Sequence, residues 1–149
     1  MDVSGNIGAI LGQKSGDIFS TSPDATVYEA VAMMDKKNVG ALLVMDGAKL
    51  VGMISERDYT RKVMLRGKKS RDAKVSEIMS TNLTVTHPHE GVEKCLRLMT
   101  DKRIRHLPVL EDNKVVGIIS IGDLVKWVIS CQSATIAHLE NYISGGYSG

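Results

Sequence analysis

Aromatic residues are scarce in this chain: one Trp, four Tyr and one Phe among 149 positions leave little with which to stack bases. Excess charge is almost absent too. A formal +2 at pH 7 does not by itself imply nucleic acid. Two cysteines, Cys95 and Cys131, make neither a disulfide framework nor a metal-site spacing. No apolar run approaches the roughly 20 residues of a membrane span. Met1-Asp2-Val3-Ser4-Gly5 is not a basic region leading into an apolar core. These absences favour a reducing cytosol, and a processed organellar form would read the same way. There is also no Walker-type Gly-x4-Gly-Lys-Ser/Thr and no Ser/His/Asp series in a nucleophile setting, so the expectation is not an enzyme.

With 43% apolar and 24% charged residues, the composition is that of an ordinary globular chain. At this length it can bury about two-thirds of its unfolded surface. The informative feature is a repeat. Leu50-Val51-Gly52-Met53-Ile54-Ser55-Glu56-Arg57-Asp58 returns as Val115-Val116-Gly117-Ile118-Ile119-Ser120-Ile121-Gly122-Asp123, 65 residues later. At the same offset Pro23 pairs with Pro88, Val27 with Val92, Met34 with Met99, Leu42 with Leu107 and Val44 with Val109. A fixed period of this kind marks two copies of one structural unit.

Each copy reads as a βαββα-like unit, giving an α/β (α+β) chain with a pseudo-twofold. Residues 6–11 and 74–79 should be short leading helices, with Ile7, Ile10, Leu11 and Val75, Ile78, Met79 at i, i+3 and i+4. Ile18-Phe19-Ser20 and Leu83-Thr84-Val85-Thr86 should be short strands. Val27, Ala30, Val31 and Met34, and likewise Val92, Cys95, Leu96 and Met99, fall on one helical face each and should cover a sheet. On that face Cys95 reads as a small buried hydrophobe. The apolar runs Ala41–Met45 and Leu107–Leu110 should be strands that turn through four polar residues, 46–49 and 111–114, into Leu50–Ile54 and Val115–Ile119. Pro108 has no N–H, which places it at an edge or an open pairing site. Ala134–Tyr142, with Ile136, Leu139 and Ile143 at helical spacing, should be a helical tail that closes the fold or meets a neighbour.

A Ser three residues before an acid, where a strand meets a helix, is what helix capping selects without any ligand. Three features point further. Asp is shorter than the Glu or Gln of a capping box, which suits an outward target. Gly52 and Gly117 allow close approach of a backbone or ligand. Two copies about a pseudo-twofold put two junctions across shared clefts, where a carboxylate can accept the hydroxyls of a ribose. The cations Arg57, Arg61, Lys62, Arg66, Lys68, Lys69, Arg71 and Lys74 read ordinarily as a solvated face and linker. The alternative is a surface for phosphate or an acidic partner. His87 and His89, flanking Pro88 in a turn, do not define a zinc site.

Over about residues 6–130, the doubled Gly-x-Ile-Ser-x-x-Asp resembles a pair of CBS domains (a Bateman module) of the stand-alone kind. The resemblance implies repeat 1 over 6–66, a linker over 67–74, repeat 2 over 75–130 and a tail over 131–149. It implies a regulatory module that binds AMP, ADP, ATP or NAD, with S-adenosylmethionine as a further ligand. The module would form a homodimer of pairs and regulate an enzyme or transporter. No catalytic cofactor, metal or membrane is implied. One implied site has Asp123 on ribose, Ser120 beside it, Arg105 and His106 toward phosphate, and Val39, Gly40 and Ala41 against adenine. The other has Asp58 on ribose, Ser55 and Arg57 toward phosphate, and Ile104 and Thr81 framing adenine. Because Arg binds phosphate bidentately and Gly cannot, the Asp123 site is the expected phosphate site. The other readings are a nucleic-acid-associated module using Arg57–Lys74 and a scaffold that dimerises without ligand.

Overall fold

The computed structural model describes residues 4–14 and 16–133, so the expected tail helix over Ala134–Tyr142 lies outside the described residues. Helix α1, Ile7–Gln13, is capped by Asn6, whose side chain accepts the Ala9 N–H at 2.9 Å. Strand β1 is Ser20–Thr21, and α2 spans Val27–Lys37 with Thr26 as its cap. Strands β2, Ala41–Asp46, and β3, Lys49–Ser55, form a hairpin. Helix α3, Glu56–Tyr59, widens into a π-type turn over Thr60–Met64, where the Leu65 N–H reaches back to the Thr60 carbonyl at 3.0 Å. The second repeat supplies α4, Val75–Ile78, α5, Val92–Lys102, β4, His106–Glu111, and β5, Lys114–Ser120. Residues 121–133 are helical and are called α6.

Both helical faces lie where the spacing put them. Val27, Ala30 and Met34 are buried on α2, as are Val92, Cys95 and Met99 on α5. The two hairpins share one register, Leu43 opposite Met53 and Pro108 opposite Ile118, each with a bulge one residue later. Their turns are tighter than expected: 46, 49, 111 and 114 are paired strand residues, leaving Gly47-Ala48 and Asp112-Asn113 between. Asp112 and Asn113 both have positive φ, which Asp and Asn tolerate best among residues with a Cβ.

The first strand of each unit departs from expectation. Parallel pairing in repeat 1 involves Ser20 and Thr21 rather than residues 18–20. In repeat 2 the expected strand over 83–86 contracts to one bridge, Thr86 with Val109. A missing donor explains the contraction. Leu43 N–H donates to the Phe19 carbonyl at 3.4 Å, and the residue equivalent to Leu43 is Pro108. Thr86 N–H still reaches the Pro108 carbonyl at 2.9 Å, but no N–H exists to carry the ladder back toward Thr84.

Each leading helix packs into the core of the other repeat. Ile7 and Ile10 of α1 join Val92, Cys95, Met99, Leu107, Ile119 and Leu124. Val75 and Ile78 of α4 join Val27, Ala30, Met34, Leu42 and Ile54. Backbone bonds fix the exchange: Ile7 N–H to the Glu90 carbonyl, and Val75 N–H to the Ala25 carbonyl, each 2.9 Å. A helix of seven residues is not stable alone. Burying two isoleucines contributes at most roughly 3–6 kcal/mol, which is enough to hold it. Between the sheets Ala41, Leu43 and Met53 pack with Leu83, Val115 and Ile118. The clefts open beside this layer.

Candidate functional site

Ser55 and Asp58 form a reciprocal cap. Asp58 N–H donates to Ser55 Oγ at 3.2 Å, and Ser55 N–H donates to Asp58 Oδ2 at 2.9 Å. Ser120 and Asp123 repeat it at 3.1 and 2.8 Å. Asp therefore does reach the local backbone despite its short side chain, so its choice over Glu or Gln does not mark an outward target. Each carboxylate also holds a lysine: Lys62 to Asp58 at 3.2 Å, and Lys14 to Asp123 at 2.7 Å. Capped and ion-paired carboxylates are poor general bases.

Burial disfavours the charge on Asp123. The Lys14 ammonium, the Ser120 N–H and the Ser120 hydroxyl together outweigh that effect, holding the carboxyl below its usual range. His106 shifts the other way. Burial lowers its affinity for a proton, Asp123 opposes this, and Lys14 and Arg105 reinforce it. The imidazole is therefore neutral at pH 7.

Around Asp58 lies a cleft of about 720 Å³, within the range of small-molecule sites. One wall is Ser55, Glu56, Arg57, Asp58 and Arg61, from the end of β3 and the helix after it. Facing them are Arg103, Ile104, Arg105 and His106, and the third side is Ser80 and 82–84. Four arginines, Arg57, Arg61, Arg103 and Arg105, thus line the cleft. Arg103 closes α5 in the left-handed conformation at φ 55, where a residue with a Cβ is disfavoured by roughly 1–2 kcal/mol. Its counterpart Asn38 suits that conformation better.

The expected site residues regroup. Asp58, Ser55, Arg57 and Ile104 meet as expected, and Thr81 is exposed between the cleft-lining Ser80 and Asn82. Arg105 and His106 line the Asp58 cleft, while His106 also pairs with Ser120 across the second hairpin and feels the Asp123 charge. The Ile121 N–H holds the Arg105 carbonyl beside α6 at 2.8 Å, and Arg105 also lines the cleft around Asp58. Gly40 also lines that cleft, beneath the His106 ring, where an added Cβ would lie 3.5 Å from the imidazole. Val39 packs on the first core and Ala41 is buried between the sheets. Asp123 and Ser120 remain together, and Asp123 borders a smaller cleft of about 410 Å³ with Lys14, Lys126 and Trp127. Arg61 and Arg103 were missed as site residues. Arg61 lies one helical turn beyond Arg57, a spacing visible in the sequence.

The basic stretch does not form one face. Arg57 and Arg61 turn into the cleft, Lys62 holds Asp58, and Arg71 lies over the Tyr28 ring at 4.0 Å. Arg66, Lys68, Lys69 and Lys74 are exposed. His87 and His89 stack on each other at 5.6 Å, with His87 Nδ1 also 2.9 Å from the Leu110 carbonyl. Among the described residues, no helix is long and apolar enough to cross a membrane.

Two capped Ser-x-x-Asp junctions on exchanged βαββα repeats define a CBS-domain pair, and such pairs are regulatory modules. The chain belongs to this family: a family model for the CBS domain matches residues 13–65 and 75–130. It is 44% identical over 130 residues to the mitochondrial CBS domain-containing protein CBSX3 of Arabidopsis thaliana, covering 83% of this chain and 63% of that protein. A protein with CBS domains from Burkholderia ambifaria MC40-6 superposes with a TM-score of 0.82 at 42% identity, covering 84% of this chain and 94% of that one. The CBS domain pair of protein MJ0100, in complex with 5'-methylthioadenosine and S-adenosyl-L-methionine, superposes at 0.75 with 26% identity, covering 87% of this chain and 98% of that one.

Proposed function

We propose that this chain is a regulatory sensor that binds an adenine nucleotide in the Asp58 cleft. The observation that carries this reading is the convergence of Arg57, Arg61, Arg103 and Arg105 on the cleft that Asp58 borders. Guanidinium groups recognise phosphate through paired hydrogen bonds, and a carboxylate recognises a ribose diol. An ionised carboxylate offers about four acceptor positions. Asp58 uses three of them, on the Ser55 N–H, the Ser55 hydroxyl and Lys62. One ribose hydroxyl fits without rearrangement, and a second displaces Lys62.

Four arginines favour AMP, ADP, ATP or NAD over S-adenosylmethionine, whose sulfonium carries the same sign as the cleft. The adenosyl ligands in the MJ0100 complex support adenosine as the common part. The bound nucleotide changes how this chain packs against a second copy or a regulated enzyme or transporter. It can do so only through unequal affinity for the two arrangements. Exposed Met64 and Leu65 after the first cleft, and Val125 and Ile129 one turn apart on α6, suit the homodimer of pairs.

Calorimetry with ATP, AMP, NAD and S-adenosylmethionine tests the reading. Asp58→Ala should weaken nucleotide binding roughly 10-fold or more, the equivalent of one charged hydrogen bond. Undiminished affinity in that variant, or preference for S-adenosylmethionine, defeats it.

A further inference from the structure

The two clefts share a motif but not the cation that answers it. In repeat 1 the lysine is Lys62, one turn after Asp58 on the same helical run, and it does not line the cleft. The corresponding position in repeat 2 is Trp127. Its indole N–H donates to the Ser4 carbonyl at 2.7 Å, so it offers Asp123 no cation. The cation comes instead from outside the repeat. Lys14, the C-cap of α1, donates to Asp123 Oδ2 at 2.7 Å and to the Ile118 carbonyl at 3.0 Å.

The segment carrying Lys14 is anchored. Ile7 and Ile10 are buried in the second core, Leu11 packs against Gly117, and Gly5 lies under the Trp127 ring. The ammonium is thus delivered to Asp123 by a fixed helix rather than by a free surface side chain. It engages both the carboxylate and the backbone of β5. A ribose approaching Asp123 meets an oxygen already bound to the Ser120 N–H and to Lys14. A ribose diol that spans both carboxylate oxygens must displace Lys14 from Oδ2, and the lysine itself lines that cleft.

We propose that Lys14 is an internal competitor that closes the Asp123 cleft, so that the chain binds one nucleotide, at Asp58. The proposal rests on the nucleotide reading of the Asp58 cleft. Lys14 is then the residue that sets occupancy, and the second repeat, with its motif equally intact, is the silent one.

Lys14→Met keeps the aliphatic stem and removes the ammonium; Lys14→Arg keeps the charge. Equilibrium dialysis of the full chain against ATP should give one ATP per chain for wild type and Lys14→Arg, and two for Lys14→Met. Adding Asp123→Asn to Lys14→Met should return the count to one. Adding Asp58→Ala to Lys14→Met instead should leave one, bound at Asp123. One ATP per chain in both wild type and Lys14→Met overturns the closure and leaves the Asp58 reading standing. Two in wild type also overturns the closure. ATP bound by neither protein overturns both.

Discussion

Gly52 and Gly117 occupy the same position in the two repeats, yet replacing each with Ala should cost very different amounts. A Cβ on Gly52 would lie 2.8 Å from the Ser80 carbonyl oxygen and 2.8 Å from Met79 Sδ. The sulfur can move, but the carbonyl cannot move far. Met53 N–H donates to it at 3.0 Å, and Ser80 N–H returns the bond to Met53 at 2.9 Å. Gly52→Ala must break that pair, at about 0.5–1.5 kcal/mol per bond, or overpack the strand at about 1–3 kcal/mol. Either route costs about 1–3 kcal/mol. At Gly117 the contact is Leu11 Cδ2 at 2.6 Å, the end of a half-buried side chain, and the next atom is at 3.4 Å. Rotation of Leu11 relieves it for about 1 kcal/mol. Urea unfolding followed by circular dichroism measures both. For a chain of this size the Gly52 loss lowers Tm by roughly 2–12 °C. Ser80 and 82–84 line the Asp58 cleft, so Gly52→Ala should also weaken ATP binding while Gly117→Ala leaves it unchanged. Equal costs at the two glycines, or the greater cost at Gly117, would refute the reasoning.

Two further outcomes follow from titrating groups. A phosphate beside His106 favours its imidazolium, whereas without ligand burial keeps the ring neutral. ATP binding near pH 6 should therefore take up a proton, measured by calorimetry in buffers of different ionisation heat, and His106→Asn should abolish the uptake. In the free protein the depressed His106 contributes stability that is complete above its unfolded pKa, about 6.5. That contribution is lost as pH falls below this value. Burial pushes the Cys95 thiol up, its hydrogen bond with Thr86 opposing. In a Cys131→Ser chain, native Cys95 should alkylate slower than in urea by about 10³-fold or more, the scale of the unfolding equilibrium; a similar rate in both states would contradict its burial.

What the sequence made legible was local in origin. Val27, Ala30 and Met34, like Val92, Cys95 and Met99, announce a buried face because helical spacing alone aligns them. Both hairpins were legible for the same reason. Destinations were less visible. Ile7, Ile10 and Leu11 give α1 an apolar stripe but do not say which repeat it covers, and it covers the second. Arg105 lines the cleft of the other repeat's Asp58 while its carbonyl bonds to α6, a relation no spacing encodes. The shortened strand before β4 could have been read directly, since aligning the repeats sets Pro108 against the hydrogen-bond donor Leu43.

The two Ser-x-x-Asp caps have nearly the same geometry, within 0.1 Å in both backbone bonds. A motif so nearly identical cannot distinguish one cleft from the other. Any difference in ligand must come from residues outside it, and four substitutions between equivalent positions supply it. Arg57 faces Gly122, Arg103 faces Asn38, Arg105 faces Gly40, and Lys62 faces Trp127. The first three put arginines around the Asp58 cleft. The fourth removes the lysine of the second repeat and leaves Asp123 to Lys14. Duplication therefore preserved the caps, which fold the chain, while divergence around them separated an open cationic cleft from one occupied by the protein's own lysine.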